Sequence, residues 1–161
     1  MSNIISRAVD SLFPPQPVYA HCDIPCGIYD PHLAQVAAHT VIRMTTLIGE
    51  SKNDSHAVAR YTATKETHAE LVKQEVRILW GDYFKPEHLD KYPNLHSLVW
   101  DIMKTASKTK QEIDIKTAED LLEKVNQLTE IFWETKDMGH VSFKAPYPTD
   151  KETVYPTSKK D

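Results

Sequence analysis

Residues 31–49 read PHLAQVAAHTVIRMTTLIG, and their periodicity indicates the fold class. Apolar or small side chains recur every three to four positions, the spacing that lines one face of an α-helix. These side chains are Leu33, Val36, Ala37, Thr40, Val41, Met44 and Ile48. Pro31 suits the first turn with Asp30 as the cap, and Gly49 suits the end. The stretch therefore predicts an amphipathic helix that packs its apolar face against other helices.

Three further stretches carry the same periodicity. Their apolar stripes cover residues 58–79, 95–106 and 118–132. Asp114 or Thr117 suits the cap of the last one, and residues 81–86, which contain Gly and Pro, must leave the helix. We therefore predict an all-α fold in which residues 31–136 form an antiparallel four-helix bundle. Residues 137–161 are polar and contain prolines, and we expect an extended C-terminal tail there.

Composition and charge limit the classes of function. The chain has 161 residues, the size of one domain, and carries 19 Lys and Arg against 23 Asp and Glu, a net charge of −4. This balance argues against a nucleic-acid partner. Apolar runs stay well below the roughly 18 residues of a membrane span, so we expect no membrane partner either. Two cysteines, Cys22 and Cys26, do not make the disulfide framework of a secreted fold.

Residues 1–20, MSNIISRAVDSLFPPQPVYA, were examined for a targeting signal. They end in the small-residue spacing of a secretory cleavage site at Val18 and Ala20. A basic start is missing, however, and Arg7 and Asp10 interrupt the apolar stretch. The segment is therefore a short amphipathic helix or a removable pro-segment. Without a secretory signal we expect a cytoplasmic protein, because reducing conditions keep thiols available for metal.

The segment HCDIPCGIYDP, residues 21–31, concentrates the groups that carry chemistry. It places one His and two Cys within six residues, and Pro25 and Gly27 flank the second cysteine and favour a tight loop. Such a loop can bring both sulfurs to one ion. The residues alone leave three alternatives open: a metal site, a redox disulfide between Cys22 and Cys26, and a structural role for two buried thiols.

Together with the pro-segment, this segment resembles the metal-binding hook of the nickel superoxide dismutase family. The resemblance extends through LWGDYFKP at residues 79–86 and KYP at 91–93 to IFWETK at 131–136. It implies a nickel hook over residues 21–30, one nickel ion per subunit and a homohexamer of four-helix bundles. The three tryptophans fit that assembly, because one small bundle does not bury so much apolar surface alone. They are Trp80, Trp100 and Trp133.

The resemblance also implies the ligands and the reaction. A maturation protease is expected to cut between Ala20 and His21, so that His21 offers a free α-amine and, as axial ligand, its imidazole. Cys22 supplies its thiolate and its backbone nitrogen, and Cys26 supplies a second thiolate. Amine, amidate and two thiolates form the square plane that suits Ni(II). Ni(II)/Ni(III) cycling then converts superoxide to O₂ and hydrogen peroxide, an antioxidant activity.

Other residues take their expected roles from the same resemblance. Tyr29 and Tyr83 match the family's tyrosine pair beside the open axial face, where hydroxyls order water or hold anions. The alternative for each tyrosine is an aromatic side chain that packs on its neighbours and has a hydrated hydroxyl. Asp23 is expected to fix the hook through local hydrogen bonds, and Lys85 to steer the anionic substrate. An ordinary turn aspartate and a solvated surface lysine are the alternatives for these two.

The sequence departs from the family at the residues that support the axial imidazole. Where the family has a Glu on the first helix and an Arg on the second, this chain has Ala37 and His68. Because an axial His needs a partner that fixes its ring, another residue must do this or the ring is held more loosely. His39, on the first helix, is expected at the surface or at an interface.

Two other classes of function compete with the enzyme. A bundle that chelates nickel or copper for storage would use the same hook but would not need Tyr29 and Tyr83. A dithiol redox protein would use Cys22 and Cys26 without a free amine at His21. Activity that survives without processing would therefore favour the dithiol protein.

Overall fold

The computed structural model describes residues 27–51 and 53–159, and this part of the chain is mostly helical. Predictions that fall on residues 1–26 lie outside the described residues. The long helices occur where the sequence predicted them. In chain order the elements are α1 His32–Glu50, α2 Ser55–Ile78, a π-helical turn Leu79–Tyr83, α3 Pro86–Lys91, α4 Leu95–Gln111, α5 Ile115–Thr135, β1 Met138–Lys144 and β2 Glu152–Lys159.

Aspartate side chains cap the starts of α2 and α5. Asp114 precedes α5 and accepts hydrogen bonds from the backbone N–H groups of Lys116 and Thr117, as the sequence predicted. Asp54 does the same for α2, by accepting from the N–H of Ala57 over 2.9 Å. Asp30 was predicted as the N-cap of α1, but the N-cap is Pro31, and Asp30 lies one residue before it. The Asp30 carboxylate still accepts from the backbone N–H of His32, over 2.7 Å.

The four long helices share one core. Helix α1 packs on α2 and α5, and α4 packs on the same two helices, so that the contacts close a ring. The fully buried side chains are mostly aliphatic and come from all four helices; they include Val41, Val72, Val76, Leu95, Ile102, Leu121, Val125, Leu128 and Phe132. Each such side chain stabilises the fold by about 1.5–3 kcal/mol relative to an exposed one. Within the described residues, no helix is long and apolar enough to cross a membrane.

Lys65 interrupts the apolar stripe of α2 and is nevertheless 1% exposed. Its ammonium donates to the carbonyl oxygen of Glu112 over 2.6 Å, at the C-terminal end of α4. Burial lowers the pKa of Lys65, because the charged form loses hydration. The lysine stem is thus part of the core and its head group caps a neighbouring helix.

The exit from α2 is a π-helical turn followed by a short helix. The N–H of Phe84 donates to the carbonyl oxygen of Leu79 over 3.0 Å and closes the turn. Phe84 is extended, with φ −69° and ψ 141°. Lys85 is extended too, with φ −122° and ψ 165°, because the residue directly before a proline avoids helical angles. Pro86 then opens α3, a helix of 6 residues that the sequence analysis did not predict. This turn positions Tyr83.

The C-terminal segment differs from the prediction. The expected extended tail at 137–161 is wrong for residues 138–159, which form an antiparallel hairpin with Val141 opposite Tyr155. The fold is therefore mostly helical rather than all-α. The reason is tertiary: Gln35 donates to the carbonyl oxygen of Val154 over 3.2 Å, and Asn126 donates to that of Glu152 over 3.0 Å. Side chains of α1 and α5 thus satisfy the outer edge of β2, and they do so without any local sequence signal.

Candidate metal centre

The predicted ligands and their neighbours divide into two groups. His21, Cys22, Asp23 and Cys26 lie outside the described residues. Tyr29, Tyr83 and Lys85 lie inside them. Among residues 27–51 and 53–159, no group of three or more His, Cys, Asp or Glu side chains is placed to hold a metal ion.

Gly27 marks the point where the described chain begins. Its φ is +78°, a left-handed conformation that side chains with a Cβ rarely adopt. A Cβ at this position would meet no atom within 4 Å, so the constraint is conformational rather than steric crowding. Ile28 follows and is 78% exposed, before Tyr29 turns inward toward the helices.

Tyr29 and Tyr83, predicted from separate segments, lie together. Their ring centroids are 5.5 Å apart with the planes tilted by 51°. Tyr83 also packs on Phe132 at 4.7 Å and on Phe84 at 5.2 Å, and these contacts fix its ring. The tyrosine pair therefore sits where the N-terminal segment meets the π-helical turn and the end of α5.

The Tyr83 hydroxyl has a defined hydrogen-bond direction. It lies 2.8 Å from Oγ1 of Thr135, which is itself 2.7 Å from the carbonyl oxygen of Phe132. Thr135 has one hydroxyl proton and gives it to that carbonyl, so Tyr83 donates to Thr135 and keeps its lone pairs for another donor. Burial raises the pKa of Tyr83, and the phenol stays protonated at neutral pH.

A second cation, missed from the sequence, lies at the tyrosine pair. The ammonium of Lys136 is 5.1 Å from the Tyr83 ring centroid and 5.2 Å from that of Phe132. Lys85 lies exposed at the start of α3, and its ammonium makes no ion pair within the described residues. The signal for Lys136 was its place in the IFWETK segment, but only the fold shows that the end of α5 meets Tyr83.

The segments that carried the resemblance meet at this end of the molecule. Tyr92 donates to the Glu134 carboxylate over 2.6 Å, which joins the KYP segment to IFWETK. That bond lowers the pKa of Glu134, and His140 on β1 approaches the same carboxylate at 3.3 Å. The structure thus brings together Tyr92, directly after α3, Glu134 of α5 and His140 of β1.

A cavity of about 460 Å³ opens beside Tyr29. Its walls include Ile28, Leu33 and Ile78, with the carboxylate of Glu75 among them. Glu75 makes no hydrogen bond or ion pair to any other described residue, and burial raises its pKa. A carboxylate beside Tyr29 without a partner in the described part of the chain is a feature that the sequence alone did not reveal.

Ala37 and His68, where the resemblance implied a Glu and an Arg, both have their contacts within the helices. Ala37 is 0% exposed in the core, and the His68 ring donates from Nδ1 to the carbonyl oxygen of Thr64 over 2.9 Å. His39 was expected at the surface or at an interface, and the first of these alternatives is wrong, because His39 is 3% exposed. Burial, and secondarily the charge of His32, lower the pKa of His39 to about 4.

Comparison with known proteins identifies the class of this site. The family model for nickel-containing superoxide dismutases matches residues 16–136, which include the His-Cys segment, the tyrosine pair and all four long helices. The chain belongs to the nickel-containing superoxide dismutase family.

Individual relatives agree with the family model. The nickel superoxide dismutase of Streptomyces coelicolor is 45% identical over 126 residues, which are 78% of this chain and 95% of that protein. The enzyme of Streptomyces seoulensis is 43% identical over the same length. A native nickel superoxide dismutase structure at 1.30 Å superposes with a TM-score of 0.68, at 45% identity, and covers 72% of this chain and 99% of its own. The hairpin at 138–159 lies beyond the family match.

Proposed function

We propose that this chain is a nickel-dependent superoxide dismutase that acts after cleavage between Ala20 and His21. Two superoxide ions and two protons become O₂ and hydrogen peroxide. The observation that carries this proposal is the family match, which spans the His-Cys segment together with Tyr29 and Tyr83.

The donor set of the N-terminal segment suits nickel. In the proposed site, His21 offers an amine and an imidazole, Cys22 a thiolate and a backbone nitrogen, and Cys26 a second thiolate. Anionic sulfur and nitrogen donors favour a tetragonal site for a metal such as Ni(II). Nickel held by these groups would supply the one-electron couple that the disproportionation of superoxide needs.

The tyrosine pair is proposed to handle anion and water. The Tyr83 oxygen keeps its lone pairs free of Thr135, so a water molecule can donate one hydrogen to it. The second hydrogen of that water then faces the anion. Peroxide formation consumes two protons, and water held in this way is a route for them. Tyr29 lines the same space from the other side.

Positive charge lies near the tyrosines, although the chain as a whole has a net charge of −4. Lys136 lies against Tyr83, and Lys85 is exposed on the adjoining helix α3. Superoxide is an anion, so a local cation raises its concentration at the site. We assign the closer position to Lys136 and a longer-range contribution to Lys85. Asp23 is assigned to the hydrogen bonds within the hook.

The assembly proposed for this enzyme is a homohexamer of antiparallel four-helix bundles, each with its own N-terminal hook. Trp80 and Trp100 support it, since they are 44% and 62% exposed in the isolated protomer. Sedimentation of the processed, nickel-loaded protein is expected to give the hexamer, and a monomer alone would refute the assembly. We place the enzyme in the cytoplasm, where both thiols stay reduced.

Metal analysis and superoxide decay on the same preparation test the function. A chain that starts at His21 is expected to bind one nickel ion and to accelerate decay. Nickel binding without acceleration would favour a chelating bundle for storage. Equal acceleration by the unprocessed, metal-free chain would favour a dithiol redox protein. Cys26→Ser serves as the matched control, because a serine hydroxyl is not ionised at neutral pH and cannot replace a thiolate.

A further inference from the structure

The hairpin at 138–159 lies outside the family match but packs along α1 in a regular way. Three consecutive residues of β2 each meet α1. Thr153 lies 2.7 Å from His39 Nε2 through its hydroxyl, the Val154 carbonyl accepts from Gln35, and the Tyr155 ring lies 5.8 Å from that of His32.

The α1 partners of the hairpin form one stripe. His32, Gln35 and His39 are spaced by three and four residues, the spacing of one helix face. Gln35 and His39 are polar but only 1% and 3% exposed. Both ring nitrogens of His39 are bonded, to the Thr149 and Thr153 hydroxyls. Buried polar groups that are satisfied this completely specify one docking position for the hairpin.

The N-terminal end of this stripe, at His32, adjoins residues 28–30, which we call the base of the proposed nickel hook. The His32 N–H donates to Asp30, which directly follows Tyr29. Asp30, His32, Trp133 and Tyr155 line a cavity of about 210 Å³ between α1, α5 and the hairpin. Phe143 supports Tyr155 from behind, since the two rings stack at 4.5 Å and 11°.

We infer that the hairpin is a brace for the hook, and that Tyr155 is its positioning residue, acting through His32 on the turn at Asp30. The inference rests on the proposed function for what the hook binds. Binding a metal fixes the conformation of the chain segment that holds it, and a base that is already fixed lowers the conformational entropy lost on binding.

Three variants separate a positioning role from a merely structural one. Tyr155→Ala removes the ring, Tyr155→Phe keeps it, and Lys144→Ala removes an exposed ion pair with Asp150 on the same hairpin. The first readout is hydrogen exchange of the backbone amides at 28–33, except at Pro31, which has none, in the metal-free full-length chain. The second is the rate at which the processed protein releases nickel to a chelator.

Tyr155→Ala is expected to speed exchange at 28–33 and to raise nickel release about tenfold, the scale of lost metal support. Tyr155→Phe and Lys144→Ala should match the parent chain. Equal behaviour of Tyr155→Ala and Lys144→Ala in both measurements would overturn the brace.

Two controls keep the result interpretable. Where Tyr155→Ala also speeds exchange at 138–144, the hairpin itself has opened, and His32→Ala then removes the same contact from the α1 side. His32→Ala with parent-like exchange at 28–33 would also overturn the proposal. A parent chain that binds no nickel would refute the proposed function instead, and the exchange measurement would still decide the brace.

Discussion

The hydroxyl groups of Tyr83 and Thr135 lie 2.8 Å apart, and the bond between them runs one way. The Thr135 hydroxyl donates its one hydrogen to the carbonyl oxygen of Phe132, so in the bond between the two hydroxyls Tyr83 donates and Thr135 accepts. A residue at the end of α5 thus leaves the lone pairs of the Tyr83 oxygen available to another donor. The same bond ties the tyrosine to the helix end that carries Lys136.

Thr135→Val tests this direction. The variant frees the Tyr83 proton, which can then point toward the site and disturb the bound water. Turnover should fall about two- to tenfold, the cost of one misplaced hydrogen bond, while nickel content stays unchanged. Thr135→Ser should keep parent activity. Superoxide decay per bound nickel is the measurement, and parent-like turnover in both Thr135→Val and Tyr83→Phe would contradict the assigned role.

His39 makes the fold sensitive to mild acid. Its pKa is about 4 in the native protein, and an unfolded histidine titrates near 6.5. Between those values the unfolded chain binds a proton that the native chain does not. Stability should therefore fall as the pH drops from about 6.5 to about 4, by about 3 kcal/mol at most. Urea unfolding at several pH values measures this loss.

His39→Gln is the informative variant for that pH dependence, because glutamine does not titrate. Its stability should be lower than that of the parent at pH 8 but should fall less between pH 6.5 and 4. His56→Gln, at an exposed position on α2, serves as the control and should follow the parent curve. An undiminished acid loss in His39→Gln would assign the effect to other groups.

Local signals explain why the helices could be predicted. The stripes of α1, α2, α4 and α5 are periodic over many residues, and Asp114 caps α5 as expected. The hairpin could not be predicted in this way, since its β2 edge is satisfied by Gln35 and Asn126 from other elements. The local sequence of residues 137–161 does not reveal partners from other helices, and its proline content alone indicates an extended tail.

The site shows the same division. The HCDIPCGIYDP and LWGDYFKP segments sufficed to predict Tyr29 and Tyr83, because a family resemblance covers both. The resemblance ends near residue 136, and His39 has its partners beyond it, in the hairpin. A polar residue on a helix usually faces solvent or another subunit, so the sequence indicated the surface or an interface for His39. Only the fold shows that Thr149 and Thr153 come to it.

Glu75 is expected to cost stability when ionised. Its pKa is raised by burial, and it lies in the last turn of α2, where the helix dipole also disfavours negative charge. The native state therefore holds its proton more strongly than the unfolded chain does. Glu75→Gln should raise the melting temperature of the metal-free protein at pH 7. The gain should vanish below the pKa of an unfolded glutamate, near 4.3.

Glu123→Gln is the matched control for Glu75→Gln. Glu123 is exposed on α5 and forms no ion pair within the described residues, so its replacement should leave the melting temperature unchanged. A lower melting temperature for Glu75→Gln would mean that the ionised carboxylate has a favourable partner in the N-terminal segment. That outcome would make Glu75 a support of the hook.

The position of His21 as first residue is expected to be essential for activity. While Ala20 acylates it, the nitrogen of His21 belongs to an amide, which is a poor donor to metal. Cleavage would convert it to an amine and would also leave the imidazole free to bind the metal. A variant with one residue left before His21 should therefore bind nickel on the order of 10–100-fold more weakly and lose nearly all dismutation.

The extended variant should still fold, because the core lies within α1, α2, α4 and α5, and circular dichroism checks this. One residue added after Asp161 is the control for chain length and should leave activity unchanged. His21→Ala keeps the amine and removes only the ring, so nickel should remain bound while most turnover is lost. Cys22→Ser should lose both nickel and turnover, because its hydroxyl stays protonated. Near-parent activity in the extended chain would show that the amine is no ligand, and the dithiol mechanism through Cys22 and Cys26 would then be the better account.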